Sequence, residues 1–206
     1  MKSISYLIAG IVLISIISCS PKPIDVISDG TYISAIKENI IVDQSGKEFK
    51  IELEEGDEIY YLIRHAEKDT IPADNPRLTD AGLRRANYLA DMLKGTRVDA
   101  VYSSMFTRTL FTIDTLAARK GMKIRPYDHK KLKTIYEDIK NDTTTSVVII
   151  SGHSNTTPAL ANVILGRQEF DSGFDESDYD NFLIVLDRVD ADNVVYKLRY
   201  KVEVTE

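Results

Sequence analysis

Leu62-Ile63-Arg64-His65-Ala66-Glu67 and Val148-Ile149-Ile150-Ser151-Gly152-His153-Ser154-Asn155 are apolar, strand-like runs that each close on a histidine; together they hold two of the three histidines in the chain. An arginine beside a neutral imidazole suits a site that grips a phosphoryl group while a ring nitrogen attacks it. His65 would be the nucleophile, forming a phosphohistidine that water then hydrolyses, so that one hard displacement becomes two easier ones. His153 would donate to a phosphoryl oxygen, helped by Ser154 and by the backbone N–H groups of Ser154 and Asn155. Arg108 lies between the two runs in Val101-Tyr102-Ser103-Ser104-Met105-Phe106-Thr107-Arg108-Thr109-Leu110. Near a helix start its guanidinium can take two phosphate oxygens, and the helix N-terminus adds partial positive charge. A departing alkoxide also needs a proton donor. Glu67, two residues beyond the nucleophile, is the first choice; Asp74, Asp128 and Glu137 are its rivals.

Alternating elements must position these groups. Glu58 to Ile63 is a continuous apolar strand of the kind buried on both faces. Thr79-Asp80 caps a helix running to Leu93, with Leu83, Ala86, Leu89, Ala90 and Leu93 at helical spacing. Val98 to Tyr102 reads as a strand, Met105 to Ala118 and Lys130 to Lys140 as helices, and Ser146 to Ile150 as a buried strand. Asn155 to Leu165 is a helix that Gly166 stops, and Phe182 to Val189 pairs with Val194 to Val202. Upstream, Thr31 to Ile36, Asn39 to Val42 and Glu48 to Leu53 are short β-rich runs, the last two joined by the turn Asp43-Gln44-Ser45-Gly46. The expected fold is a three-layer α/β sandwich: a mostly parallel central sheet, helices on both faces and an N-terminal β-hairpin addition. The catalytic groups would gather at the carboxyl ends of its strands.

Other chemistries fit less well. Gly152-His153-Ser154-Asn155-Thr156 partly matches a serine nucleophile elbow, but Thr156 stands where glycine is needed and no histidine follows Ser154. His129, in Tyr-Asp-His-Lys-Lys, reads as a surface residue. No metal site is expected, because two converging arginines repel a cation and no His-x-x-x-His or carboxylate cluster is present. The acidic stretch Asp171 to Asp180 reads as a solvated face. If it overhangs the pocket it disfavours substrates carrying several phosphates.

The three pieces, in this order between about Ile59 and Leu165, resemble the histidine phosphatase superfamily, also called phosphoglycerate mutase-like. The resemblance implies a phosphomonoester hydrolase with Arg64, Arg108, His153 and Ser154 around the phosphate, His65 as nucleophile and no cofactor. Two departures stand out: Ala66 replaces the family's glycine after the Arg-His pair, and Ser154 replaces the aspartate of one large branch. A phosphoglycerate mutase-like phosphotransferase and a phosphate-binding protein without turnover are the alternatives.

Lys2, the uncharged apolar run Ile4 to Ile17 and Ser18-Cys19 have the parts of a secretory signal. The run is shorter than the roughly 20 residues a membrane-crossing helix needs. Ile16-Ile17-Ser18-Cys19 resembles the lipobox of bacterial lipoproteins. This divides the chain into a signal over 1–18, a tether over 19–30 and one catalytic domain over 31–206. It also predicts export and anchoring to a bacterial membrane through lipid on Cys19, the only cysteine. The net charge of −6, with no basic stripe, makes nucleic acid a poor partner. A small phosphorylated substrate is the expected one, and no oligomeric state is readable.

Overall fold

The structure, a computed structural model, describes residues 26–202; the signal, Cys19 and most of the tether lie outside them. Its centre is a six-stranded mixed sheet. Four strands run parallel at one side: β6 (Ile124–Tyr127), β5 (Ala100–Ser104), β7 (Val147–Gly152) and β4 (Glu58–Arg64). The antiparallel pair β8 (Asn181–Asp187) and β9 (Val194–Arg199) extends the sheet beyond β4. The mostly parallel, three-layer α/β fold read from the sequence is present, with the reversed strand β8 making the sheet mixed.

Strand β4 shows how the layers are built. Its side chains alternate across the sheet, so Ile59, Tyr61 and Ile63 enter one core while Tyr60 and Leu62 enter the other. The first core is covered by α1 (Asp80–Met92) and α2 (Thr107–Lys120) through Leu89, Leu93, Ile113 and Leu116. The second is covered by α3 (Leu132–Lys140) and α4 (Thr156–Leu165) through Ile135, Ile139, Leu160 and Ile164. A strand covered on both faces must be apolar throughout, as β4 is.

The β-rich runs upstream form their own three-stranded antiparallel sheet: β1 (Ile33–Lys37), β2 (Ile40–Asp43) and β3 (Glu48–Lys50). Asp43 closes the predicted turn by accepting from the backbone N–H groups of Ser45 and Lys47. Ile33, Ile36, Ile41 and Phe49 join the same core as Leu89 and Ile184. The small sheet therefore completes one outer layer beside α1.

Three sequence expectations need correction. Helix α1 begins at its predicted cap, Thr79 Oγ1 accepting from Gly82 N, but Leu83 faces solvent and Arg85 is buried. An added Cβ at Gly82 would overlap the Glu67 carbonyl oxygen; only glycine lets the helix come this close to the His65 loop. Strand β6 was not foreseen. It has four residues and carries Pro126, which removes a ladder donor and suits the sheet edge it occupies. Finally, β3 stops at Lys50, short of Leu53. Among the described residues no helix is long and apolar enough to cross a membrane.

Candidate active site

Register brings the two histidine motifs together. Strands β4 and β7 are neighbours with Arg64 opposite Gly152, and the His65 N–H donates to the Gly152 carbonyl at 2.9 Å. His65 and His153 therefore leave adjacent strand ends side by side, their ring centroids 5.6 Å apart. Strand β5 flanks β7 and delivers Ser104, whose hydroxyl oxygen is 3.0 Å from His153 Nε2. Chain leaving β5 enters α2, where Arg108 is the second residue. The N-termini of α2 and α4 both open on the same cavity, a suitable pair of dipoles for an anion.

The cavity has a volume of about 360 Å³ and is lined by His65, Lys68, Phe106, Arg108, His129, His153, Ser154, Asn155 and Glu176. His65 is buried, and its Nδ1 lies 2.9 Å from the Ala66 carbonyl oxygen. A carbonyl can only accept, so Nδ1 carries the proton and Nε2 keeps the lone pair. Burial first, then the charges of Arg64, Arg108 and Lys68, push this imidazole down to about 4. Burial and Arg108 push His153 down to about 3. Both rings are neutral near pH 7.

Ala66 fits without strain: its methyl packs against Leu78 and Ala86, and its N–H donates to Thr112 Oγ1 at 2.8 Å. Arg64 is wholly buried and differs from expectation. Its Nη1 donates to the Asp175 and Asp178 carbonyls, and its Nη2 to the carbonyl and carboxylate of Glu176. Only its Nε–H has no partner. Arg108 likewise has a buried Nε–H without a partner.

Glu67 does not line the cavity. Its two carboxylate oxygens accept from Arg85 Nε and Nη2 at 2.7–3.0 Å. Burial alone would raise its pKa, but the Arg85 hydrogen bonds prevail and hold the carboxyl below its ordinary value. An ionised carboxylate has no proton to give, which counts against Glu67 as the general acid. Of its rivals, Glu137 pairs with Lys133 on α3, Asp128 accepts from the Lys130 N–H, and none of Asp74, Asp128 and Glu137 lines the cavity.

His129, read as a surface residue, stands in the cavity wall. Its ring centroid is 5.6 Å from that of His153 and 5.3 Å from that of Phe106. The signal that could have found it was β6 itself, since His129 leaves the carboxyl end of that strand as His65 and His153 leave theirs. The acidic stretch is also more than a solvated face. Asp178 and Asp180 pair with Arg199 and Arg85, and only Glu176 reaches the cavity, where it accepts the Ser154 hydroxyl. Among the described residues no group of three or more His, Cys, Asp or Glu side chains could hold a metal ion.

Residues 60–135 match the family model of the histidine phosphatase superfamily (branch 1). No protein of curated function matches the sequence. Among solved structures, the alpha-ribazole phosphatase of Shigella flexneri superposes with a TM-score of 0.57 at 13% identity, covering 71% of this chain and 100% of that one. A mycobacterial glucosyl-3-phosphoglycerate phosphatase gives 0.54 at 10% identity, over 70% and 100% of the two chains. A phosphoserine phosphatase mutant of Entamoeba histolytica, solved with phosphoserine, gives 0.50 at 15%, over 66% and 94%. At these identities the likeness is one of fold. Together with the matched segment it supports the histidine phosphatase superfamily.

Proposed function

We propose that this chain is a histidine phosphatase that hydrolyses phosphomonoesters through a phosphohistidine at His65. One observation carries the reading: a buried, neutral His65 whose Nδ1 proton is held by the Ala66 carbonyl, leaving Nε2 free to attack. The superfamily match and a fold shared with three phosphatases support the class. Arg108 and the α2 and α4 N-termini take the phosphoryl oxygens, and His153 donates to one of them. The partnerless Nε–H of Arg108, which lines the cavity, supports an anion in this place, because buried donors normally have acceptors. Arg64 adds to this field mainly from behind the cavity, with most of its donors committed to the 175–178 strap.

Hydrolysis then proceeds in two displacements. His65 Nε2 attacks phosphorus and the alcohol leaves. Water attacks the phosphohistidine and releases inorganic phosphate, restoring His65. A panel of phosphomonoesters, assayed with the purified full-length protein with and without excess chelator, tests this. Turnover of at least one ester, undiminished by chelator, is the expected result, since arginine and imidazole supply the charge neutralisation. Binding of phosphate without turnover of any ester would favour a phosphate-binding protein instead, and transfer of phosphate to an acceptor alcohol a mutase-like role.

Export and lipid attachment at Cys19 belong to the same proposal and rest on the pattern of residues 2–19. Cys19→Ser should move the protein out of the membrane fraction. If the variant still partitions as a processed membrane protein, the anchor is elsewhere.

A further inference from the structure

We propose that His129 is a third catalytic histidine, the proton donor to the leaving-group oxygen. The proposal rests on the phosphatase reading above and names a residue for the step that reading leaves unassigned. Each of the four parallel strands then supplies a reacting or binding group from its carboxyl end: β4 His65, β5 Arg108, β7 His153 and β6 His129.

Geometry selects His129. In-line attack by His65 Nε2 requires the leaving oxygen on the far side of phosphorus, toward the mouth of the cavity. His65 and His153 are buried, whereas His129, which also lines the cavity, is half-buried and so nearer solvent. Phe106 meets both His129 and His153 edge to face, at 5.3 and 5.0 Å, and holds the His129 ring against the cavity wall. The other cavity-lining groups that could serve the leaving oxygen are Lys68, Asn155 and Glu176. Asn155 does not titrate. Both carboxylate oxygens of Glu176 are engaged, one by Arg64 and one by the Ser154 hydroxyl. Lys68 lies on the His65 loop, and its charge acts on His65 itself. His129 instead stands against His153, their ring centroids 5.6 Å apart.

In the first displacement the His65 Nε2–phosphorus bond forms and the ester P–O bond breaks. The electron pair stays on the ester oxygen, which takes the proton of the His129 imidazolium and departs as an alcohol. In the second, water attacks phosphorus, its proton passes to the now neutral His129, and the N–P bond breaks back to His65. The cycle returns both rings to their starting states and releases one alcohol and one phosphate.

The test compares two leaving groups in the full-length protein and in His129→Gln, His129→Phe and Lys68→Met. Phenylalanine keeps the ring contacts with Phe106 and His153 and removes only the proton. Expected is a loss in kcat/KM of roughly 10²–10⁴ on an alkyl phosphate for both His129 variants, with little change on p-nitrophenyl phosphate, whose leaving group departs unprotonated. Equal losses on the two esters would overturn the proposal, because damage to the phosphate pocket slows both alike. A leaving-group-selective loss in Lys68→Met but not in the His129 variants would overturn it in favour of Lys68. A wild-type protein that turns over neither ester and takes up no label at His65 overturns the phosphatase reading itself, and this proposal with it.

Discussion

His65→Ala should abolish turnover of every phosphomonoester and leave the chain folded. The ring makes one hydrogen bond, to its own neighbour's carbonyl, so its removal costs the fold little, while the reaction loses the atom that bonds to phosphorus. A radiolabelled phosphate donor should label the wild-type protein with an acid-labile, base-stable phosphoramidate and leave the variant unlabelled. Label persisting in His65→Ala would move the nucleophile elsewhere. The depressed pKa adds a second measurable consequence. Because burial holds His65 down at about 4, the neutral, attacking form persists as the pH falls through the ordinary imidazole value of about 6.5. The acid limb of kcat/KM, which reports the free enzyme, should therefore lie near 4. A limb at the ordinary value would mean the ring is hydrated and the site open. The same depression costs stability in acid: between those two pH values the unfolded chain takes up protons that folded His65 and His153 refuse.

Arg85→Met should lower stability by about 3 kcal/mol, the low end of what breaking a buried ion pair costs, and should lower turnover on alkyl and p-nitrophenyl phosphates alike. From α1, Arg85 reaches the Glu67 carboxylate on the His65 loop, Asp180 at 2.9 Å at the end of the acidic strap, and the Tyr200 carbonyl at 2.9 Å beyond β9. Its side chain is 8% exposed, that of Glu67 25% and that of Asp180 16%. Methionine fills the volume but leaves the half-buried Glu67 carboxylate without its ion-pair partner, while Asp180 keeps Arg199 at 3.5 Å. The partial exposure of those carboxylates places the cost at the low end of the range. A denaturant midpoint unchanged from wild type would overturn this assignment. Glu67→Gln should follow the same pattern more weakly, slowing both ester types in proportion. A loss confined to the alkyl ester would restore Glu67 as the proton donor and displace His129.

Much of the architecture was legible because local pattern and burial agree. Continuous apolar β4 and β7 could only be strands covered on both faces, and the Thr79 cap and Gly166 stop mark real helix ends. From these followed the α/β layers and the placing of His65, Arg108 and His153 at strand and helix ends on one side of the sheet. Ser154, chosen with them, does line the cavity, with its hydroxyl given to Glu176. What the sequence could not settle was partnership between residues far apart along the chain. Arg85 looked like one more polar residue on a helix, and Leu83 like part of its apolar stripe. Tertiary contacts with Glu67, Asp180 and Tyr200 reversed the two, since a charge can be buried when carboxylates arrive from other elements to meet it. The engagement of Glu67 was hidden for the same reason, as it depends on a guanidinium 18 residues away. His129 was invisible because its strand is short, carries Pro126 and gains its order only by pairing with β5. Sequence by itself pointed to the groups proposed to attack and hold a phosphoryl group. The tertiary structure decided which groups are already spent on each other and which remain free to face a substrate, because pairing energies depend on distance in space and spacing along a chain does not reveal it.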